Sequence, residues 1–67
     1  MIEFSLNGET RRMAEASSLA ALLDELRLDA RKVAVERNEA IVPRSLYAQT
    51  RLCAGDRLEI VHFIGGG

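Results

Sequence analysis

The part of the sequence best suited to chemistry is its C-terminal tail, Gly65-Gly66-Gly67. Because glycine has no Cβ, such a tail can pass as extended backbone through a narrow channel in a partner protein. The carboxyl carbon of Gly67 is unhindered, so a sulfur nucleophile can attack it once it is activated, for example as an acyl-adenylate. Ordering each free glycine costs about 1–2 kcal/mol, which the partner's contacts must offset. The pattern predicts a flexible tail that a partner enzyme receives; a frayed terminus is the alternative.

Other candidate residues lack the neighbours that their chemistry requires. His62 is the only histidine, and no second ligand type clusters with it, so the sequence predicts no metal site. Cys53 is the only cysteine, and Arg51 is the only residue near it that would lower a thiol pKa. We therefore interpret Cys53 as a small apolar filler or a loop residue. Ser17 and Ser18 are interpreted as an N-cap pair, since no nucleophile motif surrounds them.

Length and charge exclude several classes of function. A chain of 67 residues is one small domain, whose thin core leaves little room for a cavity around a substrate. Its nine Lys and Arg residues are spread among ten Asp and Glu residues, whereas nucleic-acid binding needs a basic patch. The longest apolar stretch, residues 18–23, is too short to cross a bilayer. We expect a cytoplasmic carrier rather than an enzyme, with no nucleic-acid and no membrane partner.

Hydrophobic periodicity predicts the elements that must present this tail. Residues 2–7 alternate apolar and polar side chains, and Asn7-Gly8 is a strong signal for a type I′ hairpin turn into a second strand over roughly 9–14. Four leucines at i, i+3, i+4 and i+7 predict a helix over 19–26 with one apolar stripe. The alternation in 57–64 predicts a final strand that leads directly into the glycines.

Two shorter strands complete the predicted sheet. Residues 33–37 are rich in β-branched side chains, and Pro43 makes 41–42 a short edge strand because it removes a backbone donor. The leucine stripe must cover one face of the hairpin, which cannot bury its apolar side alone. The sequence thus predicts an α+β fold of one helix on a mixed four- to five-stranded sheet, with the element order of the β-grasp, or ubiquitin-like, fold. We assign the domain to residues 1–64 and the tail to residues 65–67.

One face of the last strand is a candidate docking patch. If its buried face contacts the helix, Val61 and Phe63 lie on the opposite face, where no second helix is available to cover them. An exposed aliphatic and aromatic pair beside the tail is suited to docking a partner. Arg57 and Glu59 flank the pair and give the patch a polar rim. The alternative is that these are isolated surface apolar residues without a role.

Motifs spread over the whole chain add a resemblance to a known family. They are Asn7-Gly8, the 19–26 helix, Val35-Glu36-Arg37-Asn38, Ile41-Val42-Pro43-Arg44-Ser45, Leu52, the segment 55–61 and Gly66-Gly67. Together they resemble the ThiS family, the sulfur carriers of thiamine biosynthesis. The additional glycine, Gly65, stands where many relatives have another small residue.

The resemblance implies a specific chemistry at Gly67. A ThiF-type adenylyltransferase would use MgATP to convert the carboxylate to an acyl-adenylate, and a cysteine-derived persulfide would then supply sulfur for a thiocarboxylate. A ThiG-type thiazole synthase would accept that sulfur. The carrier itself would hold no cofactor and no catalytic residue. Three alternatives stay open: the small subunit of molybdopterin synthase, a ubiquitin-like modifier of lysines, and an interaction module with an inert tail.

Overall fold

The first hairpin forms where the sequence predicts it. In the computed structural model, which describes residues 1–63, strand β1 (Ile2–Leu6) pairs antiparallel with strand β2 (Glu9–Met13). Asn7 and Gly8 connect them with φ of 49° and 84°. Positive φ at both positions is what a type I′ turn requires, which explains why Asn-Gly occupies it.

A single α-helix, α1 (Leu19–Glu25), follows the hairpin. Of the two candidate serines, Ser18 is the N-cap: its Oγ accepts a hydrogen bond from the Ala21 N–H at 3.0 Å. This bond satisfies one of the free N–H groups at the helix start. Among the residues that the structure describes, no helix is long and apolar enough to span a membrane.

The remaining strands are β3 (Val33–Arg37), β4 (Ala40–Ile41) and β5 (Arg57–His62). Strand β4 begins one residue before the predicted edge strand, because Asn38 and Glu39, with φ of 53° and 72°, form a second tight turn. Short 3-10 turns at Ala30–Lys32 and Arg44–Leu46 fill the connections. Strand β5 ends at His62, two residues before its predicted end.

Strand β5 lies at the centre of the sheet, whose order is β2-β1-β5-β3-β4. It runs parallel to β1 and antiparallel to β3, so the five-stranded sheet is mixed, as predicted. Helix α1 covers one face. The buried apolar side chains come from the helix, the strands and the 47–52 loop: Phe4, Met13, Leu19, Leu22, Leu23, Val33, Val35, Tyr47, Leu52 and Leu58.

Candidate docking face and tail exit

The predicted tail itself, Gly65, Gly66 and Gly67, lies outside the described residues, as does Ile64. The structure instead defines the point from which the tail starts. The Phe63 N–H donates to the Lys32 carbonyl at 2.8 Å, one residue beyond the end of β5. Phe63, the last described residue, is thus bound to the sheet, and it lies four positions before Gly67.

The four docking residues lie where the sequence predicts them. In β5, Leu58 is buried against the helix, and strand side chains alternate between faces. Arg57, Glu59 and Val61 therefore lie on the face away from the helix, which we call the outer face. Val61 is 60% exposed, and Phe63, just past the strand, is 46% exposed.

The outer face also carries apolar residues that were not predicted as part of it. Val61 is directly opposite Ala34 on β3, and Glu36 is directly opposite Ile41 on β4. Directly paired residues share a face, so Ile41, which is 66% exposed, belongs to the outer face. A two-residue strand has no readable period, so the sequence alone does not reveal which face Ile41 occupies.

The part of the outer face near the start of β5 is mainly acidic. Glu36 and Glu59 are directly opposite each other on β3 and β5. Together with Glu39 and Arg57 they line a shallow depression, in which the Arg57 Nη2 lies 3.9 Å from the Glu39 Oε1. Like charges directly opposite each other in a sheet are destabilising, and here that repulsion is only partly compensated.

The residue just before β5, Asp56, is the buried polar centre of the domain. Only 6% exposed, it accepts hydrogen bonds from the Cys53 N–H at 2.8 Å, the Asn38 Nδ2 at 3.1 Å and the Arg37 Nε at 2.9 Å. Burial alone would raise the pKa of Asp56, but the bonds from Cys53, Asn38 and Arg37 together outweigh burial and lower it. We call these four residues the Asp56 network.

Sequence reasoning missed this network because its members are far apart. Arg37 and Asp56 are separated by 19 positions, so no local pattern connects them. The sequence pointed to the network only through the resemblance to the ThiS family, because Arg37-Asn38 and Gly55-Asp56 both belong to the motifs that carry that resemblance. Their contact ties the β3–β4 turn to the start of β5.

The structure decides between the two interpretations of Cys53 in favour of the loop residue. The cation near its thiol is Arg37, whose Nη2 lies 3.5 Å from Sγ, whereas the sequence pointed only to Arg51. Cys53 is an exposed loop residue and therefore not an apolar filler. His62 is also exposed, at the end of β5. Within residues 1–63, no group of three His, Cys, Asp or Glu side chains is placed to hold a metal ion.

Comparison with known proteins decides the family. The sequence model of the ThiS family matches residues 4–67. The chain belongs to the ThiS family. The sulfur carrier protein ThiS of Bacillus subtilis (strain 168) is 38% identical over 63 residues, which cover 92% of this chain and 96% of that protein. The crystal structure of a ThiS from Geobacter metallireducens matches with a TM-score of 0.83 at 30% identity, covering 98% of this chain and 100% of that one.

A third relative is a longer protein. A thiazole synthase of Paramagnetospirillum magneticum (strain ATCC 700264 / AMB-1) is 58% identical over 62 residues, 92% of this chain. The chain spans only 19% of the length of that relative. The part of that protein that resembles a sulfur carrier is therefore one segment of a chain named for the enzyme.

These findings confirm the predicted family and the β-grasp fold. They also support the predicted class of function, because the relative that the chain matches over almost its whole length is the sulfur carrier protein ThiS. The roles assigned to Gly65, Gly66 and Gly67, and to the outer-face residues Arg57, Glu59, Val61 and Phe63, stay predictions.

Proposed function

We propose that this chain carries sulfur as a thiocarboxylate on Gly67. A ThiF-type adenylyltransferase transfers the AMP part of MgATP to the Gly67 carboxylate and releases pyrophosphate. The terminal sulfur of a cysteine-derived persulfide then attacks the acyl carbon, and AMP leaves with the bonding electron pair. A thiol cleaves the resulting sulfur–sulfur bond, is itself oxidised to a disulfide, and frees the thiocarboxylate.

The proposed acceptor of this sulfur is a ThiG-type thiazole synthase. The relative named thiazole synthase, in which a segment similar to this chain is covalently joined to the rest of the enzyme, supports this pairing. Joining two partners in one chain raises their effective concentration, which benefits a carrier that must meet its acceptor repeatedly. The same relative favours thiamine over the molybdenum cofactor as the destination. We place all these steps in the cytoplasm.

The observation that supports the proposal is the position of the end of β5 beside the outer face. Phe63, the last described residue, is bound to the sheet and lies beside the exposed outer face. Four residues of extended chain reach at most about 14 Å, so a partner that holds the Gly67 carboxyl group must lie close to the domain. The apolar part of the outer face, with Val61, Phe63 and Ile41 exposed, is the adjacent surface on which it would dock.

Intact mass spectrometry tests the proposal directly. The purified chain is incubated with the adenylyltransferase of its host, MgATP, a cysteine desulfurase with cysteine, and a thiol reductant. We expect a species heavier than the starting protein by the difference between one sulfur and one oxygen atom. The matched control lacks only Gly66 and Gly67, and it should keep its starting mass while unfolding at the same temperature as the full chain.

Two results would contradict the proposed function. If the full chain keeps its starting mass while the same enzyme modifies a known ThiS-family carrier, Gly67 is not its sulfur site. Covalent adducts with the lysines of other proteins would instead identify a protein modifier. In a second reaction, the sulfur-bearing chain should lose its added mass when incubated with thiazole synthase and its substrates, and keep it with molybdopterin synthase.

A further inference from the structure

Two cations without a carboxylate partner among residues 1–63 lie beside Phe63, the end of the described chain, which we call the tail exit. The Phe63 N–H donates to the Lys32 carbonyl, so Lys32 is directly beside the last described residue. Arg44 donates from Nε to the Ala30 carbonyl at 3.1 Å and from Nη2 to the Arg31 carbonyl at 3.3 Å. These bonds hold its guanidinium against the same segment.

The acid nearest to Lys32 in sequence, Asp29, is already paired with another cation. Its two carboxylate oxygens accept from the Arg31 Nε at 3.1 Å and the Arg31 Nη2 at 2.9 Å. The hydrogen bonds from Arg31 lower the pKa of Asp29 to about 2, so it stays ionised and bound to Arg31. The ion pairs formed within residues 1–63 include neither Lys32 nor Arg44. The tail exit is therefore positive, although the net charge of the whole sequence is −1.

The charges are separated along β5. Glu59 lies in the first half of β5, with Glu36 and Glu39 beside it, whereas Lys32 and Arg44 lie near its end. Glu36 and Glu59 are each four residues along their strand from Lys32 and Phe63, roughly 13 Å, which exceeds the Debye length of about 8 Å at physiological salt. A partner that approaches the tail exit therefore meets the cations with little compensation from the acids.

We infer that Lys32 and Arg44 form a basic collar that binds acidic side chains around the mouth of the channel through which the adenylyltransferase receives the tail. The inference rests on the proposed function, because it presumes that Gly67 enters such a channel. Since residues 64–67 span at most about 14 Å, the partner's surface must come up against the collar when Gly67 is in place. Opposite charges at such a contact speed association and select the correct partner.

The collar can be tested through Lys32, which is exposed and whose side chain forms no hydrogen bond within residues 1–63. We would measure kcat and KM for pyrophosphate release by the host adenylyltransferase, varying the carrier and MgATP separately. For Lys32→Glu we expect the carrier KM to rise about fivefold or more at low salt, the effect of losing one close charge pair, with kcat unchanged. In about 0.5 M salt, where the Debye length falls to about 4 Å, most of the difference should disappear.

Two variants serve as controls. Lys32→Arg keeps the charge and should behave as the unaltered chain. Arg51→Glu makes the same change of charge near the start of β5, at an exposed arginine that donates to the Ala16 carbonyl at 3.3 Å, and should leave the carrier KM unchanged. Melting curves of all variants verify that each is folded.

Several results would overturn the collar. An unchanged carrier KM for Lys32→Glu does so, as does a rise that persists at high salt or recurs in Lys32→Arg, because either would indicate shape rather than charge. A rise in the KM for MgATP alone would place the cations against nucleotide phosphates instead of a protein surface. If the unaltered chain releases no pyrophosphate, the proposed function itself fails, and the collar with it.

Discussion

The two ends of β5 differ in what surrounds them. At its start, Leu58 is 1% exposed and is paired on both sides, with Leu6 of β1 and Arg37 of β3. Asp56, directly before the strand, is the centre of a buried hydrogen-bond network. The strand is therefore fixed at this end by burial, by strand pairing and by a buried charge.

At the other end of β5, pairing continues on one side only. His62 is opposite Val33 on β3, but the pairing with β1 stops at Leu58. On the β1 side, the Asn7 side chain continues the hydrogen bonding as far as Ile60. Its Oδ1 accepts from the Ile60 N–H at 2.9 Å, and its Nδ2 donates to the Ile60 carbonyl at 3.3 Å.

This difference assigns separate tasks to the two ends of one strand. The start holds the strand in the domain, and the end presents an exposed apolar surface and the tail. A change at the start should therefore alter stability and spare recognition, whereas a change at the end should do the reverse. The predictions below test that separation.

The largest effect on stability is expected from Asp56→Ala. It removes the acceptor for Arg37, Asn38 and the Cys53 N–H and leaves a partly buried guanidinium unpaired. We expect a loss of about 3 kcal/mol in the free energy of unfolding, and a fall in melting temperature of more than about 10 °C. Urea and thermal unfolding measure both quantities.

The control for this change is Glu3→Ala, which breaks the carboxylate–arginine pair of Glu3 with Arg12, both of them exposed, and it should alter stability little. At a temperature where Asp56→Ala is folded, its KM as a substrate of the adenylyltransferase should equal that of the unaltered chain. Equal stability losses in the two variants would show that the Asp56 network does not anchor β5.

The next effect concerns recognition and is expected from Phe63→Ala. The ring is 46% exposed on the outer face beside the tail exit, so removing it should leave the melting temperature almost unchanged. If the outer face docks the adenylyltransferase, the carrier KM should rise about tenfold, as for other aromatic residues central to an interface. The conservative control is Phe63→Leu, which keeps an apolar side chain at the same position and should raise the carrier KM less. If both variants keep the original KM, Phe63 has no part in docking.

A smaller effect is expected on the pH dependence of stability, through Asp56 at the start of β5. Because the pKa of Asp56 is lower in the folded than in the unfolded chain, its stabilising effect is complete above the unfolded value of about 3.9. Stability is lost as the pH falls below that value and through the folded pKa. One carboxyl group contributes at most about 1.4 kcal/mol per pH unit. In urea unfolding between about pH 5 and about pH 2, Asp56→Asn should lose stability less steeply than the unaltered chain. Parallel curves would contradict this assignment.

Elements encoded by local patterns could be predicted from the sequence. The Asn7-Gly8 turn needs only two adjacent residues that tolerate positive φ, and the leucine stripe of α1 needs only a helical period. Each pattern works within a few positions, because the physics that selects it is a turn or one face of a helix. The elements of the β-grasp fold follow from such local signals.

Contacts that join distant positions could not be predicted in this way. The bond between Arg37 and Asp56 depends on β3 and β5 being neighbours, and the closeness of Lys32 to Phe63 depends on their register. Nothing near these residues in the sequence indicates those partners. The docking patch was predicted only in part, since the alternation in β5 places Val61, while Ile41 reaches the same face through cross-strand pairing.

The smallest effect is expected from Glu36→Gln, which acts between the two ends of β5. Its carboxylate is directly opposite that of Glu59, so neutralising it should raise the free energy of unfolding by about 0.2–1 kcal/mol. The gain should shrink in high salt, where the repulsion is already screened. The control Glu9→Gln removes an exposed acid opposite Leu6, where no carboxylate is paired with it, and should leave the melting temperature unchanged. If Glu36→Gln instead lowers the melting temperature, the acidic pair stabilises the fold. The acidic side chains would then belong to the anchored end of β5, and the boundary between anchoring and presentation would lie closer to Val61.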